Sequence, residues 1–138
     1  NPFTPLPLYG DAWVKAYRSA SGDHRASKAL GPHCYRTMEE ALARLRVVGH
    51  QSVVICGESG AGKTVTNRKM IEYICQVQSM NGTSTQGGVA DVQQIAEANV
   101  LLESFGNAKT TRNDNSSRFG KYTKLDFDTN NSYGITGC

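Results

Sequence analysis

The eight residues from Gly57 to Thr64 constrain this chain more than any other stretch of its sequence. Their order, Gly-Glu-Ser-Gly-Ala-Gly-Lys-Thr, fits the pattern G-x-x-x-x-G-K-[ST] of a phosphate-binding loop. The preceding run, Ser52–Cys56, is apolar and rich in β-branched residues, which is typical of a buried parallel strand. The following residues, Val65–Met80, have the spacing of a helix. This order predicts an α/β fold with an anion site at the start of the helix.

The residue types within the loop suit a nucleotide. Glycines adopt dihedral angles closed to other residues and let the backbone approach a ligand, so successive N–H groups can surround an anion. Lys63 supplies a positive charge for the β- and γ-phosphates, and the Thr64 hydroxyl can ligate Mg²⁺. We therefore predict that the whole loop binds nucleotide, namely Gly57, Glu58, Ser59, Gly60, Ala61, Gly62, Lys63 and Thr64.

The overall composition excludes several classes of protein. With 38% hydrophobic and 20% charged residues among 138, the chain is predicted to be one soluble globular unit. The net charge is only +3 and no basic run is interleaved with aromatic residues, so no nucleic-acid partner is expected. No apolar run approaches 18 residues and no signal peptide is present, so neither a membrane span nor secretion is expected.

The four cysteines are not spaced as metal ligands. None belongs to a C-x-x-C pair, and no Cys/His pair has zinc-ligand spacing. We therefore expect reduced thiols in a cytosolic protein, with Cys56 packed in the strand that precedes the phosphate loop. Because the chain starts at Asn1 without Met and stops at Cys138 within an expected strand, we also expect an incomplete domain, truncated at both ends.

Helical patterns account for much of the remaining sequence. Asp11 is the expected N-cap of a first helix, and residues 19–32 are polar and contain Gly and Pro, which predicts a surface loop. A capping box at Thr37–Glu40 predicts the start of a second helix, which Gly49 would end. A fourth helix is expected over about residues 91–105. The residues predicted to be buried along one face are Trp13, Val14 and Tyr17 in the first helix, Met38, Leu42 and Leu45 in the second, Met70, Ile71, Ile74 and Val77 in the helix after the phosphate loop, and Val92, Ile95, Leu102 and Phe105 in the fourth.

Three other segments complete the description of the chain. Asn81–Gly88 is small, polar and glycine-rich, which predicts a flexible surface loop. Tyr122–Phe127 alternates with the period of a strand, and Tyr133–Thr136 is its expected hairpin partner.

A second polar constellation lies between Asn107 and Gly120. It is long for a structureless connection, which favours a functional loop, although a solvated surface loop is the alternative. Hydroxyls of Ser116 and Ser117 can ligate Mg²⁺ or orient water, and the Asn113 amide can bond phosphate oxygens. A neighbouring Arg118 brings a planar cation that can pair with a carboxylate.

Together these segments resemble the myosin motor head. Gly57–Thr64 is similar to its P-loop, Asn113–Lys121 to its switch I, and Leu101–Asn113 to the sequence that leads into switch I. The first nine residues resemble the segment that packs on adenine, and the likeness runs to about Phe127. Kinesins follow the switch Arg with Ser-His, whereas Phe-Gly-Lys stands here, and the Asn-Lys-x-Asp motif of Ras-like GTPases is absent.

The resemblance implies a fold and a set of roles. The fold would be α/β and P-loop NTPase-like, part of a mixed sheet flanked by helices, with residues 1–138 forming part of a motor domain. The cofactors would be ATP and Mg²⁺. The implied roles are β/γ-phosphate binding by Lys63, Mg²⁺ ligation by Thr64 and Ser117, positioning of the attacking water by Ser59 and Ser116, phosphate contact by Asn113, a salt bridge to a switch II glutamate by Arg118, and an adenine pocket lined by Asn1, Pro2 and Tyr9. The Asn81–Gly88 loop resembles myosin loop 1, which gates nucleotide exchange.

The function implied is hydrolysis of Mg-ATP coupled to switch I movement and to force on actin. Actin would bind through regions absent from this chain, light chains or calmodulin would be further partners, and the protein would lie in the cytoplasm on the cytoskeleton. The chain alone is expected to be inactive and unstable, since a parallel strand needs neighbours from other βαβ units. The alternative is an actin tether that binds ATP without turnover. A P-loop kinase is a third and weaker interpretation, because no phosphoacceptor pocket or lid is evident in the sequence.

Overall fold

Helices dominate the chain. The computed structural model describes residues 4, 6–80, 88–128 and 135–137. The elements in these ranges are α1 (Asp11–Ser19), α2 (His24–Ala29), α3 (Cys34–Val48), α4 (Lys63–Met80), α5 (Gly88–Gly106), β1 (Asn107–Thr110), β2 (Asn113–Ser117), β3 (Asp126–Phe127) and β4 (Ile135–Gly137). No helix in the described ranges has both the length and the apolar character needed to cross a bilayer.

The core forms where α1, α3 and α4 pack together. Residues three and four apart on a helix share a face, so Val14 and Tyr17 of α1 point to the same neighbours. Tyr35 of α3 stacks on Tyr73 of α4 with ring centroids 4.4 Å apart. The buried residues of the core are Val14, Tyr17, Tyr35, Met38, Met70, Tyr73, Ile74, Val77 and Ile135. With Ile71, which is also buried, they confirm the predicted face of α4 and the burial of Val14 and Tyr17 in α1. Three other residues predicted to be buried are only half-buried, namely Trp13 of α1 and Leu42 and Leu45 of α3.

A buried carboxylate joins the three core helices. Glu39 of α3 accepts a hydrogen bond from the Tyr73 hydroxyl at 2.7 Å and pairs with Arg18 of α1 at 3.2 Å. Burial and the bond to Glu39 raise the pKa of Tyr73, so its hydroxyl keeps its proton and acts as a donor. A buried charge is stable only when it is paired in this way.

Helix starts differ from the predictions. α1 begins at Asp11, with Gly10 in the N-cap position, one residue earlier than expected. α3 begins at Cys34 because the ring of His33 caps it, accepting the N–H of Tyr35 at 3.1 Å. The predicted helix start at a Thr37–Glu40 capping box is therefore wrong, since Thr37 and Glu40 both lie within α3. Gly49 does end α3 in the left-handed conformation, with φ of 82°.

The polar stretch at residues 19–32 is not wholly a loop. It contains α2, whose N-cap Asp23 accepts hydrogen bonds from the N–H groups of Arg25 and Ala26. Such a side chain satisfies backbone donors that a short helix cannot satisfy itself. The prediction missed α2 because six residues are too few to show helical periodicity.

The buried parallel strand predicted at Ser52–Cys56 is wrong for this structure. The segment carries no strand hydrogen bonds, Val54 is 81% exposed, and Cys56, expected to be packed, is exposed as well. A strand exists only when another strand pairs with it, and no strand in the described ranges lies beside this one. The sheets that are described are antiparallel, β1 with β2 and β3 with β4. The second pair confirms the predicted hairpin in a shorter form.

Helix α5 carries apolar side chains that its neighbours do not cover. Leu102 and Phe105 were predicted to be buried, yet Leu102 is half exposed and Phe105 is 87% exposed. Ile95 is half-buried, whereas the Val92 side chain lies outside the described residues. In the described ranges α5 packs chiefly on α4 and β4, so much of its surface has no partner. The predicted loop at Asn81–Gly88 also lies outside the described residues, apart from Gly88, which begins α5.

Candidate functional site

The phosphate loop runs directly into α4, as predicted. Gly60 and Gly62 have φ of 80° and 93°, a left-handed backbone conformation that residues other than glycine rarely adopt. The N–H of Ala61 donates to the Glu58 carbonyl at 3.2 Å and closes the turn. Because α4 begins at Lys63, the positive end of its dipole lies at the loop. These features produce a turn with backbone geometry suited to an anion.

Lys63 folds back over its own loop. Its Nζ atom donates to the carbonyl oxygens of Gly57 at 2.7 Å and of Glu58 at 2.8 Å. Both oxygens belong to the loop, so the ammonium lies beside the residues predicted to bind phosphate. Thr64, the next residue, is exposed at the first turn of α4.

The predicted loop at Asn107–Gly120 is mostly a β-hairpin. β1 and β2 pair antiparallel, with Ala108 opposite Ser116 and Thr110 opposite Asn113. Thr110 closes the turn because its hydroxyl accepts the Asn113 N–H at 3.2 Å and donates to the Asn113 carbonyl at 3.1 Å. Sequence patterns do not reveal these strands, because Asn, Ser and Thr replace the apolar alternation that identifies a strand.

The hairpin brings the two predicted constellations together. The Ser59 and Ser116 hydroxyl oxygens lie 2.8 Å apart and share a hydrogen bond. Ser116 is 3% exposed, so this contact is shielded from solvent. A Cβ built on Gly60 would lie 3.6 Å from the Arg112 carbonyl oxygen, which places the hairpin turn against the phosphate loop. The two segments therefore meet at one junction.

An ion pair that was not predicted from the sequence spans the same junction. Nη1 of Arg112 lies 2.9 Å from Oε2 of Glu58, and the two side chains are 71% and 82% exposed. The sequence offered one signal for this pair, which is the opposite charge of Glu58 inside the phosphate loop and of Arg112 just before Asn113. Their pairing required the tertiary approach of the two segments.

Side-chain packing and polar contacts fix the base of the hairpin to α5. A Cβ on Gly106 would overlap the Phe119 ring, and the Arg118 N–H donates to the Gly106 carbonyl at 3.0 Å. Beside them, Lys121 is only 17% exposed and pairs with Glu103 at 2.8 Å. Its Nζ also donates to the Asn99 side chain at 3.2 Å. The base is thus held by contacts that solvent reaches poorly.

Of the other predicted site residues, Asn113 lies at the junction, since a Cβ on Gly60 would lie 3.8 Å from the Asn113 Cβ. The Ser117 hydroxyl donates to the Phe119 carbonyl at 3.3 Å, and no hydrogen bond within the described ranges joins it to Thr64. The Asn113 side-chain oxygen accepts the Asn115 N–H at 3.0 Å. Arg118 is exposed, and no carboxylate in the described part of the chain forms a salt bridge with it.

Tyr9 lies in an aromatic cluster on the side of α3 and α4. Its ring is 5.5 Å from that of His33, and Lys69 Nζ lies 5.6 Å from its centroid. Lys69 is six residues beyond Lys63 on α4, which corresponds to about 9 Å along the helix. Asn1 and Pro2 lie outside the described residues.

His33 ties this cluster to the N-terminal segment. Its Nδ1 accepts the Tyr35 N–H, so the proton sits on Nε2, which donates to the Leu8 carbonyl at 3.1 Å. Burial lowers the pKa of His33, which keeps the ring neutral and able to cap α3.

Known proteins similar to this chain fall into one family. A family model described as "Myosin head (motor domain)" matches residues 1–138. The human protein named unconventional myosin-Vc is 44% identical over 95% of this chain, and myosin type-2 heavy chain 2 of Schizosaccharomyces pombe is 42% identical over 96%. Unconventional myosin-Va of Rattus norvegicus is 41% identical over the whole chain. The chain spans only 6–7% of the length of these relatives.

Proposed function

This chain belongs to the myosin head (motor domain) family, and from that premise we propose that it is the nucleotide-binding part of an actin-based motor that hydrolyses Mg-ATP. The 2.8 Å approach of Ser59 to Ser116 carries the proposal, because it joins the phosphate loop to the hairpin similar to switch I. The fold we propose for the complete protein, meaning the full-length chain that contains these residues, is a P-loop NTPase-like mixed sheet flanked by helices.

Residues at the junction fit a triphosphate and Mg²⁺. The left-handed glycines keep the loop open to an anion without side-chain obstruction, and Lys63 adds a full charge. Thr64 and Ser117 would hold Mg²⁺ through hydroxyl oxygens, the hard donors that this ion prefers. When bound, Mg²⁺ would neutralise charge on the β- and γ-phosphate oxygens.

The chemistry we propose is in-line attack of water on the γ-phosphorus, catalysed by positioning and charge stabilisation. Lys63 would exchange its two carbonyl acceptors for phosphate oxygens. A pair of hydrogen-bonded hydroxyls keeps one donor hydrogen and several lone pairs, so Ser59 and Ser116 together can hold a water molecule. Asn113 would contact phosphate from the hairpin turn, and Arg118 would pair with a glutamate elsewhere in the complete protein.

Motor output would come from the hairpin. It touches the phosphate loop at its turn and α5 at its base, so movement after phosphate release would be passed to the rest of the motor. The partners we propose are an actin filament and light chains or calmodulin, and the location is the cytoplasmic cytoskeleton. The adenine pocket would include Asn1, Pro2 and Tyr9.

Lys63→Ala in the complete protein tests this function. We expect loss of ATP binding or of actin-activated turnover, because the substitution removes the positive charge that would bind the phosphates. Within the described ranges no other cation contacts the carbonyls of Gly57 and Glu58. Arg68→Ala, on the exposed side of the same helix, is the matched control and should leave both unchanged. Unchanged turnover in Lys63→Ala would contradict the proposal. Tight ATP binding by the unaltered protein without phosphate release would instead favour an ATP-binding tether.

A further inference from the structure

A main-chain acceptor orients the hydroxyl of Ser117, one of the two proposed Mg²⁺ ligands. The hydroxyl donates its hydrogen to the Phe119 carbonyl at 3.3 Å. Because a hydroxyl binds a cation through its oxygen lone pairs, its hydrogen must point away from the metal. The Phe119 carbonyl holds that hydrogen and leaves the lone pairs available. How well Ser117 serves as a ligand therefore depends on where this carbonyl points.

The Phe119 carbonyl belongs to a peptide unit that it shares with Gly120. Glycine has no Cβ to limit its dihedral angles, and a Cβ built on Gly120 would meet nothing within 4 Å. Gly120 itself therefore does little to fix the peptide unit. The carbonyl keeps its direction only if the residues on both sides of this unit are held in place.

Both flanking residues are held on α5. On one side, the Phe119 ring fills the space beside Gly106. On the other side, the Lys121 ammonium lies 2.8 Å from the Glu103 carboxylate and 3.2 Å from the Asn99 side-chain oxygen. The same ammonium lies 5.4 Å from the centroid of the Phe119 ring. Since the Lys121 side chain is only 17% exposed, solvent and salt screen this anchor less than they screen a surface ion pair.

A second acceptor is available for the Ser117 hydrogen if the carbonyl moves. Asn107 is the residue opposite Ser117 in the hairpin, and such opposed side chains share a face with their Cβ atoms about 5 Å apart. The Oδ1 atom of Asn107 is buried and has no hydrogen-bond partner among the described residues. A buried acceptor without a partner favours any hydroxyl that can reach it. Without a fixed Phe119 carbonyl, the Ser117 hydroxyl would turn to Asn107 and its lone pairs would change direction.

We propose that Lys121 is a positioning residue for Mg²⁺, which fixes the Phe119 carbonyl and so directs the lone pairs of Ser117 towards the metal. Its own anchor is α5, through Glu103 and Asn99. This inference rests on the proposed function, because it deepens the assignment of Ser117 as a ligand. In this role Lys121 contacts neither the metal nor the nucleotide. Removing a group that orients a metal ligand typically lowers metal affinity about 10- to 100-fold.

The test titrates Mg²⁺ into the complex of the complete protein with a fluorescent ATP analogue that cannot be hydrolysed. Lys121→Met keeps the length of the side chain but removes its charge, and it should raise the Mg²⁺ concentration needed for half-saturation about 10-fold. Removal of a positive charge should by itself favour a cation, so the sign of this change is opposite to the simple electrostatic effect. Binding of the analogue without Mg²⁺ should be unchanged, and a loss there would show a general defect of the site and overturn the inference.

Two further variants separate positioning from general loosening. Gly120→Ala restrains the same peptide unit by another means, so adding it to Lys121→Met should recover part of the Mg²⁺ affinity. No recovery would contradict the role of the peptide unit. Lys124→Met is the matched control, because Lys124 is an exposed lysine that pairs with Asp126 and not with α5. If Lys124→Met weakens Mg²⁺ binding as much as Lys121→Met, the inference is wrong.

The outcomes separate this inference from the proposed function. If the unaltered protein does not bind the ATP analogue, or binds it without any dependence on Mg²⁺, both fail. In a Ser117→Ala background, Lys121→Met should have no further effect, because the ligand that it positions is gone. If the two losses multiply, or if only Ser117→Ala weakens Mg²⁺ binding, the inference alone fails. If Ser117→Ala has no effect, the inference fails together with that ligand assignment, while nucleotide binding stands.

Discussion

The Ser59 and Ser116 hydroxyls are hydrogen-bonded at 2.8 Å although 57 residues separate them in the sequence. Ser59 lies in a glycine-rich turn and Ser116 lies in a strand, so neither position depends on the other locally. Their meeting requires that α5 and the hairpin fold back onto the start of α4. This one contact therefore reports whether the two halves of the candidate site are assembled.

Removing either hydroxyl should slow the chemical step. Ser59→Ala or Ser116→Ala in the complete protein should reduce ATP hydrolysis roughly 100-fold, because a misplaced water molecule loses its alignment. The double variant should be no slower than the worse single variant, since the two hydroxyls act as a unit. Single-turnover phosphate release separates this step from ATP binding. Ser79→Ala, an exposed hydroxyl on α4, is the control, and multiplicative losses in the double variant would contradict a shared role.

Gly106 should not tolerate a side chain. Alanine there would overlap the Phe119 ring and shift the base of the hairpin, and overpacking of this kind costs about 1–3 kcal/mol. We expect Gly106→Ala to lower the midpoint of thermal unfolding of the complete protein and to weaken nucleotide binding. Phe119→Leu added to it should recover part of the loss. Gly120→Ala, where nothing lies within 4 Å, should be neutral, and an equal loss there would refute the packing argument.

The buried Glu39 should matter more than the adjacent, exposed Glu40. Glu39→Ala removes the acceptor of the Tyr73 hydroxyl and the partner of Arg18, which should cost about 1–3 kcal/mol. Glu40→Ala removes only an exposed i,i+4 pair with Arg36, worth about 0.3–0.5 kcal/mol. Denaturant unfolding of the complete protein, followed by a probe in α3, should show this order. Similar losses from both substitutions would count against the core role of Glu39.

Acid should weaken the start of α3 through His33. Its pKa in the folded state lies below the ordinary value of 6.5 because of burial. At pH values between these two pKa values the unfolded state therefore binds more protons than the folded state. The contribution to stability is therefore complete above pH 6.5 and is lost as the pH falls towards the folded-state pKa. His33→Asn keeps a capping oxygen but does not titrate. The midpoint of thermal unfolding should fall less steeply for His33→Asn as the pH is lowered from about 7.5 to about 5.5, and identical slopes would contradict this role.

The isolated chain should not fold cooperatively. Val54 and Phe105 are almost fully exposed, and Ser52–Cys56 has no strand partner in the described ranges, so a large apolar surface faces water. Calorimetry of purified residues 1–138 should give no sharp transition. A cooperative transition with a normal heat capacity change would show that the three-helix core is sufficient by itself.

Local patterns in the sequence determined the phosphate loop, α4 and the buried faces of α1 and α4. They did so because a loop that needs left-handed glycines and a helix with a repeating apolar face depend on residues within one or two turns of each other. The order of residues in Gly57–Thr64 and Asn113–Lys121 was also enough to predict the myosin head family, and the comparisons with known proteins confirm that assignment.

Tertiary structure alone decided the contacts between distant segments. It folded the polar Asn107–Gly120 stretch into a hairpin, set Ser116 against Ser59 and Arg112 against Glu58, and placed the His33 ring against the Leu8 carbonyl. It also left Ser52–Cys56 unpaired among the described residues, although its composition is that of a buried strand. The physical reason is that strands and ion pairs need a partner from elsewhere in the chain, and a segment's own residues do not specify which partner arrives.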